Sequence, residues 1–152
     1  MEKPKVYLAG QSNEHDNNWK EFFKSIEGFD FHDWEIHSDQ TSADTYFPDD
    51  LKGVRNADIM IANPGLAPSE ATWIEIGYFY AQHVKNPGDF CDRLIIIWKE
   101  NRNPNWSIDF VKKLYKNFII TQGRRINGSL FEDSLYLFIL FNLLFDKQLF
   151  CL

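Results

Sequence analysis

The chain is 152 residues long, with 22 acidic and 16 basic side chains and a net charge of −6. That is the length of one domain, 1–152, and the acidity argues against a nucleic-acid polymer as partner, since gripping a phosphate backbone calls for a basic face. Apolar residues at 44% and charged residues at 25% fit a soluble globular protein. Cys91 and Cys151 alone make no disulfide framework, and no stretch reads as a signal peptide or membrane span, so a cytoplasmic protein with no membrane partner is expected.

Lys5–Gly10 is a short apolar strand that ends in glycine. The polar segment Gln11–Asn18 follows as a loop. Trp19, Phe22, Phe23 and Ile26 then mark an amphipathic helix that Gly28 stops. Phe29–Ile36 alternates and reads as a second strand, and His37–Pro48 as a polar loop. Asp49–Asn56 is predicted as a short helix with an acidic first turn, directing Leu51 and Val54 inward. Ala57–Asn63 is apolar on both faces, as a central parallel strand is, and Pro64-Gly65 breaks it.

A helix is predicted from Ser69 to about Gln82, with Pro68 before it and Glu70 in its first turn. Trp73, Ile76, Gly77 and Tyr80 recur along it at helical spacing. Arg93–Trp98 is a fourth strand, Ile108–Tyr115 a helix and Phe118–Thr121 a fifth strand. A last helix opens at Gly128-Ser129 and is apolar nearly all round through Leu135–Phe145. Such a helix is buried, in part by another subunit, so a homo-oligomer is expected. The alternation predicts an α/β fold: an open, mostly parallel five-stranded sheet with helices on both faces.

Ligands of such sheets bind beyond the carboxyl ends of the strands. The first strand delivers Tyr7 and Gly10 there. The predicted helix starts bring Asp49 and Asp50, and then Ser69 and Glu75. Glu75 sits among Trp73, Ile74 and Ile76. It reads either as a solvated helix glutamate or as a working carboxylate near a helix N-terminus. Tyr7 reads equally as a core aromatic, Asp50 as a helix cap, and Trp34, Phe47 and Trp73 as core residues or as surfaces for a base to stack on. Asn63, at the end of the third strand, is within reach of a ligand there.

The predicted site has no obvious lysine or Ser/His nucleophile and no phosphate-cradling glycine loop of the GxGxxG or Walker type. His32 and His37, five apart on the predicted strand, point to opposite faces, and no metal or other cofactor is expected. Paired carboxylates without a metal are the equipment of glycosyl chemistry: one attacks the anomeric carbon, and a second group handles a proton.

The residues Val6–Gly10, Asp50–Ile61 and Trp73–Phe79, in this order, resemble the nucleoside 2-deoxyribosyltransferase family and its nucleotide N-glycosidase relatives. The resemblance covers the first half of the chain by motif and the second half by architecture only. It implies a flavodoxin-like fold in which Glu75 is the nucleophile, Tyr7 holds Glu75 by a hydrogen bond, and Asp50 contacts the sugar or assists proton transfer. Gly10, Ser12, Asn63, Ser69, Trp73 and Phe47 would line the substrate. In the transferase branch an aspartate often stands where this chain has Ser69, whereas the branch that hydrolyses nucleoside 5′-monophosphates has serine there. The first loop, however, lacks that branch's arginine and glycines.

Three readings follow. One is a deoxyribosyltransferase acting on a nucleoside and a free nucleobase. A second is a hydrolase of (deoxy)nucleoside monophosphates, and a third is a non-catalytic nucleotide-binding module.

Overall fold

The structure is a computed structural model; it describes residues 2–11, 19–64, 70–86, 89, 91–99 and 117–121. Among the described residues five strands are formed: β1 (Lys5–Ala9), β2 (Asp30–Asp33), β3 (Ile59–Ala62), β4 (Leu94–Lys99) and β5 (Asn117–Thr121). Four helices are described between them: α1 (Trp19–Lys24), α2 (Trp34–His37), α3 (Ala43–Asn56) and α4 (Glu70–His83). The sheet order is β2-β1-β3-β4-β5, and every pairing is parallel. This is the flavodoxin-like, doubly wound order, whose switch point lies between β1 and β3.

Alternation along β1 explains how both faces are covered. Val6 and Leu8 join Ile61, Ile95 and Ile97 under Trp19, Phe23 and Ile26 of the α1 region. Tyr7 and Ala9 join Met60, Ala62, Leu94 and Ile96 under Val54 of α3 and Ile76 and Phe79 of α4. The sheet is therefore a buried layer between two helical layers, which is why its central strands read as unbroken apolar runs.

Three local expectations are corrected. The second strand is not Phe29–Ile36: pairing with β1 ends at Asp33, whose side chain accepts from the Glu35 N–H and caps the one-turn α2. The following helix does not start at Asp49. It starts at Ala43, where the Ser42 N–H donates to Thr45 Oγ1 at 3.2 Å, and it runs through Pro48. Proline is most at home in a helix's first turn, which makes Pro48-Asp49 look like a start; here the ring is carried inside a longer helix. Asp50 consequently lies in mid-helix rather than at a cap.

The buried stripe of α4 also differs from the expected one. Thr72, Glu75, Ile76 and Phe79 face the core, whereas Trp73 and Tyr80 are half-buried and Gly77 is exposed. The predicted Ile108–Tyr115 helix and the apolar final helix lie outside the described residues. Among the described residues no helix is long and apolar enough to cross a membrane.

Candidate active site

The end of β1 is shaped by close approach to the end of β3. Gly10 has φ +115°, and a Cβ there would lie 2.2 Å from the carbonyl oxygen of Asn63. Only glycine meets both demands. The Asn63 N–H donates to the Ala9 carbonyl at 2.9 Å, closing the strand ends together at the switch point. Asn63 itself is buried.

Two strand positions back, Tyr7 points to the α3/α4 face and is fully buried. Its hydroxyl donates to Glu75 Oε1 at 2.7 Å. Glu75, on the inward stripe of α4, is only 3% exposed. Burial pushes its carboxyl up to about 7; the Tyr7 hydrogen bond opposes this, the Asp50 charge adds to it, and the Lys20 charge opposes it. Burial, with the charge and hydrogen bond of Glu75, pushes Tyr7 far above the ordinary phenol range, so it stays a protonated donor. The solvated-helix reading of Glu75 is thereby removed.

Asp50, also 3% exposed, reaches the same place from the middle of α3. Burial raises its carboxyl, while a 2.5 Å hydrogen bond from Ser38 Oγ acts in the opposite direction. Its charge acts on both Tyr7 and Glu75. Tyr7, Asp50 and Glu75 are thus brought together from β1, α3 and α4.

A lysine that the sequence does not single out is buried beside α2. Lys20 of α1 is fully buried, with Nζ 2.6 Å from Asp33 Oδ1 and 2.8 Å from Glu35 Oε2. Burial alone would raise Asp33, but Lys20 and Lys24 hold it below the ordinary carboxylate range. The ammonium also lies 4.9 Å from the ring centroid of Trp34, whose Nε1 donates to the Gly10 carbonyl at 3.0 Å. Trp34 is thereby pinned beside the end of β1. In sequence Lys20 looks like the polar side of an amphipathic helix. Its position three before Phe23 and beside Trp19 was the available signal that it shares the buried stripe.

His32 and His37 do not point to opposite faces. Because the chain turns helical at Trp34, their rings stack at 4.8 Å between centroids, and His32 stacks on Tyr7 at 5.3 Å. The His32 Nε2 atom is buried without a hydrogen-bond partner, and burial, then the neighbouring His37, lowers this imidazole below its ordinary range. Gly53 of α3 is what lets the helix close on this stack: a Cβ there would lie 2.6 Å from His32 Nε2 and 2.8 Å from Tyr7 Cε2. A separate cavity of about 430 Å³ lies between β2 and α3, lined by His32, His37, Lys5, Lys52, Asp30 and Asp49 among others. It does not include the three clustered side chains.

Of the remaining candidates, Trp73 is half-buried against the apolar cluster beneath α4. Phe47 is half-buried on α3, with its ring edge-on to Tyr46. It precedes Asp50 by three residues and so shares that side of the helix. Ser12 and Ser69 lie outside the described residues.

No protein-family model matches the sequence, and comparison with curated proteins finds no match. Among solved structures the chain is similar to the CMP N-glycosidase BcmB of Clostridium botulinum. The two are 22% identical, with 88% of this chain and 98% of that one covered, at a TM-score of 0.61. The likeness is one of fold.

Proposed function

We propose that the protein cleaves the N-glycosidic bond of a nucleotide, with Glu75 as the nucleophile. One observation carries the reading: a buried glutamate, held by a tyrosine hydroxyl at 2.7 Å, at the carboxyl edge of a flavodoxin-like sheet. The shared fold with a CMP N-glycosidase supports a nucleoside monophosphate as substrate.

In this mechanism Tyr7 engages Oε1 of Glu75, and Oε2 attacks C1′ of the sugar. The bond from C1′ to the base nitrogen breaks. The base leaves with the bonding pair and takes a proton from solvent. Water then attacks C1′, its proton passes to Asp50, and the ester bond to Glu75 breaks, freeing the sugar phosphate and the carboxylate. Asp50 accepts a hydrogen bond from Ser38, as an ionised proton acceptor would. Its carboxyl, raised by burial, is the stronger base for it. The half-buried Trp34 and Phe47 offer faces for the base.

The same three residues would serve transfer of the sugar to a free nucleobase, with a ring nitrogen of the acceptor in place of water. A chromatographic product assay tests both. Nucleoside monophosphates and the matching nucleosides are incubated with and without an acceptor base. Base released from a monophosphate without acceptor supports hydrolysis, and a new nucleoside formed only with acceptor supports transfer. No turnover of any substrate, with binding retained in Glu75→Ala, would leave a non-catalytic nucleotide-binding module.

A further inference from the structure

A hydrogen bond at the hydroxyl of Tyr7 does not by itself stop the phenol ring from swinging about its Cβ. Two further contacts close that freedom. One face of the ring is covered by the His32 imidazole, with centroids 5.3 Å apart and planes 17° apart, an offset stack of the favoured kind. The ring edge beside the hydroxyl, at Cε2, meets Gly53 of α3, where a Cβ would lie 2.8 Å away. His37 backs His32 from the far side, at 4.8 Å between centroids. The Asp33 N–H donates to His37 Nδ1 at 3.0 Å and ties the stack to the end of β2. A histidine is a poor choice at position 32 if filling space is its only task. Its Nε2 is buried with no hydrogen-bond partner among the described residues, a penalty that an apolar side chain avoids. Yet an aliphatic side chain has no flat face to lay on a phenol. A six-membered ring would run into α3, since a Cβ on residue 53 would already lie 2.6 Å from Nε2. An imidazole is flat and small enough for the gap.

We propose that His32 is a positioning residue of this site: its ring, stacked on Tyr7 and backed by His37, aims the Tyr7 hydroxyl at Glu75. The role rests on the reading of Glu75 as the reacting group. A misplacement of about 1 Å can cost about 10²-fold in rate, so the tilt of the Tyr7 ring is worth controlling. His32 then acts on the chemistry through the Tyr7 hydroxyl alone. A ring that merely packs the gap between β2 and α3 would support the fold whether or not residue 7 carries a hydroxyl.

A double-mutant cycle in the full-length chain separates the two. Wild type, His32→Ala, Tyr7→Phe and the double variant are compared by kcat and KM on a nucleoside monophosphate, with thermal melts to establish that each is folded. His32→Ala is expected to lower kcat on the order of 10-fold with little change in KM. In the Tyr7→Phe background it should lower kcat by no more than about twofold. Losses that multiply in the double variant overturn the proposal. His37→Ala removes an exposed ring from the back of the stack and serves where His32→Ala does not fold. The same dependence on the Tyr7 hydroxyl is expected of it at smaller size, and an unchanged kcat, a loss that multiplies or failure of both variants to fold overturns the role. The cycle is also read without turnover, by NMR titration of protein labelled with ¹³C at the glutamate carboxyl carbon, with Glu75 assigned by its loss in Glu75→Gln. Because the Tyr7 bond lowers the Glu75 carboxyl, His32→Ala should raise its midpoint, and should leave it in place when residue 7 is already phenylalanine. That result in a protein that turns over no nucleotide overturns the glycosidase reading and leaves the role of His32 standing. An unchanged midpoint in folded His32→Ala overturns the role itself.

Discussion

Tyr7 and Glu75, 68 residues apart in sequence, meet at 2.7 Å in the interior. The tyrosine is the donor, and its bond lowers a carboxyl that burial otherwise raises. Removing it in Tyr7→Phe pushes Glu75 further above about 7, so the acid limb of the pH–rate profile moves to higher pH. A buried carboxylate without its donor also costs about 1–3 kcal/mol. Urea denaturation should show that loss at pH 8 and a smaller one at pH 5, where the carboxyl is protonated.

Glu75→Gln is expected to abolish turnover and to stabilise the protein. The folded carboxyl titrates near 7, against a model-compound value of 4.5. Between these values the native state binds more protons than the unfolded chain, so stability falls as pH rises through that window. The full cost of the ionised form is on the order of 3 kcal/mol. Glutamine avoids it. The variant should therefore gain most of that amount at pH 8 and lose most of the gain by pH 5, read as the difference in denaturation midpoints. Wild-type kcat/KM should fall about tenfold per pH unit below about 7, since the nucleophile must be ionised.

Gly53→Ala runs against helix propensity. In an exposed helix interior the change would stabilise by about 1 kcal/mol. Here the new methyl group would meet His32 Nε2 and Tyr7 Cε2 at 2.6 and 2.8 Å. The ring stack or α3 must move, at a cost of about 1–3 kcal/mol. Because Tyr7 carries the bond to Glu75, the same variant should lower kcat more than it raises KM.

Ser38→Ala removes the short bond to Asp50 that opposes the effect of burial. The Asp50 carboxyl should rise, and its orientation should loosen. A fall in kcat/KM of roughly 10- to 100-fold is expected, with Asp50→Asn costing about 10²- to 10⁴-fold. Steady-state kinetics of the two variants beside wild type check the order.

The fold was legible because its signals are local. Apolar runs at 57–63 and 93–98, separated by a stretch of helical period, require a parallel sheet covered on both faces. Glycine after the first strand marked Gly10 as a special position, and its steric contact with Asn63 gives the reason. Glu75 stood out as an acid among apolar neighbours. Asp50 was placed at a helix start on the same sheet edge and read either as a cap or as a residue of the site; it lies instead in the middle of α3, which runs on through Pro48.

What residue order alone determined is the layered α/β architecture and the edge of the sheet at which a ligand would sit, since both follow from the periodicity of apolar side chains and from where turns are forced. Tertiary structure decided the electrostatics. Lys20 can be buried only because Asp33 and Glu35 arrive from another strand and helix, and burial beneath α4 pushes Glu75 up to about 7, with the Tyr7 hydrogen bond and the Lys20 charge opposing it and the Asp50 charge adding to it. Charges interact through space, at distances that no spacing along a single helix or strand encodes.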